Sequence, residues 1–249
     1  MIVIGHRGTM DYEPQNTLSA FELALKQGAN AIEFDVQITK DGKLVVYHDE
    51  TLDTLTDGEG SVAQRTLAEL KKLRVKHPNL AANSKHRKRI TIPTLEETLD
   101  LVGGYSAKKI WANAELKIEG IEHEFNEFIK WYMEKNNWPN ERSLVSSFYH
   151  QQLMALRQVN EKLRIGALFD GVPVDYNQFI MALNPYSSNP NIDSVNQALV
   201  DDAHRRNLKV YVWTVTNYEQ AKKVISLAVD GVFANSPKKM REWQTRYHL

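Results

Sequence analysis

The feature that most constrains this chain is a rhythm: short β-rich runs alternate with segments whose apolar residues fall at helical spacing. Candidate strands lie at 2–6, 31–37, 110–117, 144–148, 165–169, 181–184, 210–215 and 231–235. Between them, "NTLSAFELALKQG" places Leu18, Phe21 and Leu25 on one helical face, with Asn16 or Thr17 as N-cap and Gly28 as the stop. "PTLEETLDLVGG" repeats that grammar, and further helices are expected at 122–136, 150–160, 175–179, 194–207 and 218–228, with "PKKMREWQTRY" as a tail helix. Eight strand–helix units in about 250 residues predict an α/β fold, a (β/α)8 TIM barrel in a single domain.

Two departures interrupt the rhythm. The "KDGK" turn at 40–43 is a hairpin signal, so strand two is expected to overshoot the barrel mouth and return as 44–47, setting His48 opposite Asp35. The stretch from about 49 to 92 then reads as an insertion, acidic in "DETLDTLTDGEG" and basic in "KKLRVKH" and "SKHRKR", expected to form a cap over the mouth.

Active sites of such barrels lie at the C-terminal ends of the strands. His6 and Arg7 end strand one, Glu33 and Asp35 end strand two, and Glu115 and Lys117 end strand three. Residues at i and i+2 share a strand face, so three carboxylates are expected to converge at the mouth. Like charges in a low dielectric repel, and a cation among them makes the cluster tolerable. An all-oxygen donor set favours one hard divalent ion, Mg2+ or Ca2+, over zinc.

Each residue alone has an ordinary explanation. An isolated E-x-D on a strand makes surface salt bridges, a lone His6 or His48 is a satisfied structural histidine, and Glu115 with Lys117 is an ion pair. Independent structural residues have no reason to share strand ends on one rim, so the site reading is preferred. Phe148 and Trp213 end two strands and are candidate walls of a substrate site, although aromatics there also serve as core. The basic run 84–89 reads as a solvated face, His123 and Glu122 near the start of their helix form no convincing metal site, and His77, His86, His150, His204 and His248 read as surface or loop residues.

Composition narrows the partners. Lys plus Arg and Asp plus Glu each number 31, so net charge gives no argument for nucleic acid or an anionic membrane. Cysteine is absent, which removes disulfides, thiolate metal sites and a cysteine nucleophile. The N-terminal "MIVIGHRG" has neither a basic leader nor a cleavage site, and no apolar run approaches a membrane span, so a soluble, cytoplasmic protein without stable membrane insertion is expected.

Together "GHRGTMDYEPQNTLSAF", "GANAIEFDVQITKDGKLVVYHDETLD", "AELK", "VSSF", "VWTVTN" and "DGVFANSP" resemble the glycerophosphodiester phosphodiesterases, in order and spacing along nearly the whole chain. The resemblance implies a barrel with a small inserted cap, a divalent metal, and hydrolysis of a phosphodiester to glycerol 3-phosphate and an alcohol. By the same resemblance Glu33, Asp35 and Glu115 match the metal ligands, His6 and His48 the catalytic acid–base pair, and Arg7 and Lys117 the positions that hold the phosphate. The chain departs from the family pattern at Gln15, where "PQNT" replaces P-E-N-T, and at Thr54, where an arginine is common. These departures bear on substrate preference and rate more than on reaction class. Two rival readings remain: a phospholipase D acting on lysophospholipids or sphingomyelin, which a wide apolar mouth would favour, and a non-catalytic phosphodiester-binding barrel, which loss of a histidine or a carboxylate would have favoured.

Overall fold

Strands buried on both faces need near-continuous apolar or small residues, and most of the strands here supply them. In chain order they are β1 (Ile2–Gly5), β2 (Ala31–Ile38), β3 (Leu44–Val46), β4 (Trp111–Leu116), β5 (Ser143–Ser147), β6 (Ile165–Phe169), β7 (Ser187–Pro190), β8 (Lys209–Val215) and β9 (Gly231–Ala234). The computed structural model describes residues 1–76, 89–105 and 110–247. All strands but β3 are parallel, in the order β1-β9-β8-β7-β6-β5-β4-β2, and pairing of β1 with β2 closes the ring. The result is an eight-stranded barrel surrounded by helices, as the alternation predicts.

Around it run α1 (Leu18–Lys26), α3 (Leu95–Gly103), α4 (Glu122–Asn136), α5 (His150–Val159), α6 (Gln197–Arg205), α7 (Tyr218–Ser226) and α8 (Pro237–Tyr247), while the short α2 (Leu67–Leu70) follows the hairpin. Thr17 caps α1 by accepting from the Ala20 amide, and Thr94 caps α3 in a capping box with Glu97. Strand alternation divides the core in two. On β2, Ile32, Phe34 and Val36 pack into the helix layer, whereas Ala31 joins Ile4, Leu144, Tyr211 and Phe233 in a separate buried cluster. Glu33 and Asp35 share the face of Ala31, which turns them away from the helices and into the barrel.

Two expectations need correction. Residues 181–184 are not a strand, and 175–179 are not a helix: a 3-10 helix covers Gln178–Leu183, and the sixth barrel strand is β7. Ile180 and Leu183 are buried against the helix layer, and Asn184 turns the chain with φ at 45°. The strand itself reads "SSNP", all buried, because it lines a part of the barrel that is polar rather than apolar.

The hairpin forms about Gly42, whose φ of 70° suits glycine. Thr39 Oγ1 donates to Asp41 Oδ1 (2.6 Å) and accepts from the Lys43 amide (2.9 Å), pinning the turn. Pairing of Val36 with Val46 and Ile38 with Leu44 carries the chain back, and the Tyr47 amide donates to the Asp35 carbonyl at 2.9 Å. Beyond it, Leu52, Val62, Leu70 and Val75 bury a small cluster of their own against Val45, Tyr47 and Ile92. The part of the expected insertion at 77–88, with His77, His86 and most of the basic run, lies outside the described residues, as does His248.

Candidate active site

Glu33 and Asp35 rise from β2, and Glu115 from β4, where it is the register partner of Asp35. One oxygen of each of the three lies within 4.8 Å of the others, and all three side chains are buried or nearly so. Two carboxylate charges this close repel by ~3 kcal/mol at an effective dielectric of about 20. Burial, and then the charges of Asp35 and Glu115, push the Glu33 carboxyl well above its ordinary range. Burial and Asp35 raise Glu115 to about 7 despite Lys117. Burial acts against ionisation of Asp35 as well, but Arg7, His48, Lys117 and a hydrogen bond from Asn16 hold it below the usual carboxylate value. Glu33 Oε1 and Asp35 Oδ1 are buried without a hydrogen-bond partner among the described residues. Unsatisfied anionic oxygens converging on one point, with oxygen donors only, fit a hard divalent cation.

The remaining groups are set around this triad by turns at strand ends. His6 directly follows β1; its amide donates to the Ala234 carbonyl (3.1 Å), and its Nδ1 lies 2.8 Å from Asn235 Oδ1. Arg7 has φ at 50°, which aims its amide at Glu33 Oε2 (2.7 Å). Gly8 completes that turn with φ at 89°, and a Cβ there would fall 2.7 Å from Ala20, so no larger residue fits. The Arg7 guanidinium donates to Gln15 Oε1 (2.6 Å) and lies 3.3 Å from Asp35 Oδ2. Lys117 Nζ is 2.9 Å from Glu115 Oε1 and 3.9 Å from Asp35 Oδ1. His48 follows the returning hairpin, with its Nδ1 2.7 Å from Asp49 Oδ1. Burial, then Arg7, lower His6 to about 4. Burial also lowers His48, opposed by Asp35 and Asp49.

His6, Arg7, Glu33, His48, Glu115 and Lys117 all border one cavity of about 220 Å3. Phe148 and Trp213 form its wall, edge to face with ring centroids 5.2 Å apart. A second cleft, of about 450 Å3, shares His48, Glu115, Lys117 and Phe148 and extends to Asp49, Glu50 and Tyr149. The structure thus brings every sequence-predicted site residue to one place. Three contributors were missed. Asn16, one of the two alternative caps for α1, leaves that role to Thr17 and donates to Asp35 Oδ2 (2.7 Å) while its Oδ1 accepts from the Asp35 amide (3.2 Å). Asn235 and Asp49 hold the two histidines. Their only sequence signal is adjacency to the motifs, since the contacts arise when the barrel closes. Of the other histidines, His150 is held by the Leu168 carbonyl at 2.8 Å and His204 by Asp230 at 2.9 Å. Neither joins the site.

Known proteins resemble this chain in sequence and in fold. A protein from Caldanaerobacter subterraneus subsp. tengcongensis named glycerophosphodiester phosphodiesterase is 36% identical over 244 residues, covering 95% of each chain. One of the same name from Bacillus altitudinis is 34% identical over 94% of each. The solved structure of an Oleispira antarctica phosphodiesterase in complex with the product sn-glycerol-3-phosphate superposes with a TM-score of 0.85 at 27% identity, covering 98% of this chain and 97% of that one. The sequence model of the Glycerophosphoryl diester phosphodiesterase family matches residues 6–239. With nearly the whole length matched and relatives of this similarity, the chain belongs to the glycerophosphoryl diester phosphodiesterase family and is an enzyme of that kind.

Proposed function

We propose that the chain hydrolyses glycerophosphodiesters to glycerol 3-phosphate and an alcohol, with His6 and His48 as general base and general acid beside a divalent cation. The observation that carries this reading is the shared cavity: two histidines, two cations and the carboxylates Glu33 and Glu115 border about 220 Å3, with Asp35 clustered against those two carboxylates. A phosphodiester is anionic and its alkoxide leaves poorly. Arg7 and Lys117 are placed to bind the phosphate oxygens and offset the charge that accumulates in the transition state. A Mg2+ or Ca2+ ion held by Glu33, Asp35 and Glu115 would add Lewis-acid charge at the same phosphate.

The two histidines divide the proton transfers. Held near 4 by burial and Arg7, His6 is neutral at pH 7, and its Nε2 is free to take a proton from the attacking oxygen. Burial lowers His48, but its carboxylate partner on Nδ1 opposes that shift, a contact the neutral amide beside His6 does not offer, and this suits His48 better than His6 to protonate the leaving oxygen. The residues from 49 onward supply Asp49 and Glu50 to the outer cleft, which supports a cap that shapes the leaving-group side of the site.

A second reading, action on lysophospholipid diesters, draws support from exposed apolar side chains: Phe148 and Tyr149 beside the cavity, and Val172 and Val174 after β6. Neutral net charge and the lack, among the described residues, of any helix long and apolar enough to cross a membrane point away from nucleic acid and from stable insertion. One assay separates these readings: a panel of glycerophosphodiesters and lysophospholipids with choline, ethanolamine, inositol or glycerol headgroups, run with chelator, Mg2+ or Ca2+. Metal-dependent release of glycerol 3-phosphate from the glycerol diesters is expected. Turnover confined to lysophospholipids would favour the second reading, and tight binding of every diester with no turnover would make the barrel a binding protein.

A further inference from the structure

We propose that Asn113 and Ser146, at the floor of the cavity, bind a hydroxyl of the substrate's glycerol moiety and make the site selective for glycerol esters over simple alkyl esters. This inference rests on the phosphodiesterase reading above and names what that site recognises.

Asn113 sits on β4 two residues before Glu115 and shares its face, one layer deeper in the barrel. Ser146, on β5, is the register partner of Glu115. Both side chains are fully buried, both border the cavity that holds the histidines and carboxylates, and Asn113 Nδ2 donates to Ser146 Oγ at 2.9 Å. That bond leaves Asn113 Oδ1 without a partner among the described residues, in a place where an unmet carbonyl is costly. It also leaves the Ser146 hydroxyl hydrogen free, because the oxygen is already an acceptor.

The floor therefore presents one acceptor and one donor side by side. A phosphate oxygen only accepts and an ammonium only donates, so neither satisfies both. An alcohol hydroxyl does both, and it would do so equally if the Asn113 amide were turned over, with Ser146 then donating to Oδ1 and Nδ2 left free. Arg7 and Lys117, the phosphate-binding cations, pair with carboxylates in the layer above. Above and beside the floor, Leu168, Phe233 and Trp213 offer apolar wall for the carbon chain. Trp213 is fixed there by donation from Nε1 to the Asn189 carbonyl at 2.8 Å. A polyol tail running from the phosphate down to Asn113 matches this sequence of charge, apolar wall and polar floor.

The test uses two p-nitrophenyl phosphodiesters, one of glycerol and one of 1-propanol, which share a leaving group and differ in the hydroxyls alone. With metal-loaded protein, kcat/KM for the glycerol ester should exceed that for the propyl ester by about a hundredfold or more. Ser146→Ala and Asn113→Ala should each shrink that ratio by about tenfold, with the loss falling on the glycerol ester. Ser146→Ala removes a single oxygen and keeps the question answerable if Asn113→Ala does not fold. Hydrolysis of both esters without discrimination would overturn the floor while leaving the phosphodiesterase reading intact. An unchanged ratio in the variants would assign the floor to bound water, and an equal fall on both esters would make the pair a support for Glu115. Either result overturns the inference. Turnover of neither ester by the parent protein would overturn the phosphodiesterase reading and this inference with it.

Discussion

The Nδ1 atom of His48 lies 2.7 Å from Oδ1 of Asp49, whereas the Nδ1 of His6 faces the neutral amide of Asn235 at 2.8 Å. The two histidines are thus held by partners of different charge. A carboxylate stabilises an imidazolium, and an amide oxygen fixes a neutral tautomer with its lone pair on Nε2. In the proposed mechanism this asymmetry assigns the base to His6 and the acid to His48.

If His6 is the base, kcat/KM should be lost on acidification as His6 gains its proton, near pH 4 rather than near 6.5. The alkaline limb then reports deprotonation of the acid. Either His→Ala change should lower kcat by about 10²- to 10⁴-fold. A p-nitrophenyl leaving group needs little protonation, so it should restore activity to His48→Ala and not to His6→Ala. Equal restoration in both variants would contradict the division.

The carboxylate triad predicts the stability of the chelated protein. A folded-state carboxyl raised above its unfolded value of about 4.3 costs stability as pH rises from that value through the folded one. For Glu115 the window runs from about 4.3 to about 7, and Glu33 is shifted in the same direction. Chelated protein should therefore melt lower at pH 8 than at pH 5, and Glu33→Gln or Glu115→Gln should raise Tm at pH 8. Added Mg2+ or Ca2+ should stabilise the parent and do so less in either variant. A parent Tm indifferent to both ions would argue against metal binding at the triad.

How much of this was legible in the sequence depends on what each element buries. β2 and its hairpin were readable because Ile32, Phe34 and Val36 alternate with Ala31, Glu33 and Asp35 and because Asp41-Gly42 marks the turn. β7 was not, since Ser187, Ser188, Asn189 and Pro190 carry no apolar signal. Only closure of the ring, with Gly166 against Ser187 and Ser188 against Val210, requires a strand there. The same logic governs the site. Charged residues at strand ends are visible one strand at a time, while Asn235 lies 229 residues from the histidine it holds and becomes its partner only when β9 meets β1.

The residues after the hairpin carry a buried cluster separate from the barrel core, so they should open as a unit of their own. Leu70 is fully buried in that cluster, and Leu70→Ala should cost about 2–5 kcal/mol locally. Hydrogen exchange is the measurement: amides of residues 52–75 should lose protection while those of β4, β5 and β6 keep theirs. Uniform loss across the barrel would show that the segment is part of one cooperative core.

Asp230 is a carboxylate remote from the residues of the site. Lying just before β9, it accepts from Lys209 Nζ at 2.8 Å, from the Val210 amide at 2.9 Å and sits 2.9 Å from His204 Nε2. Burial alone would raise its pKa, but the Lys209 bond, the Val210 amide and His204 outweigh it and leave the carboxyl below its ordinary value. A carboxyl depressed in the folded state contributes stability that is fully present above its unfolded pKa of about 3.9 and is lost as pH falls through the folded one. Asp230→Ala should therefore cost about 1–3 kcal/mol in urea denaturation at pH 7, and the gap to the parent should narrow at pH 3. Because Asp230 joins the start of β8 to the loop before β9, activity per folded molecule should hold. A pH-independent gap would mean that packing rather than charge makes the contribution.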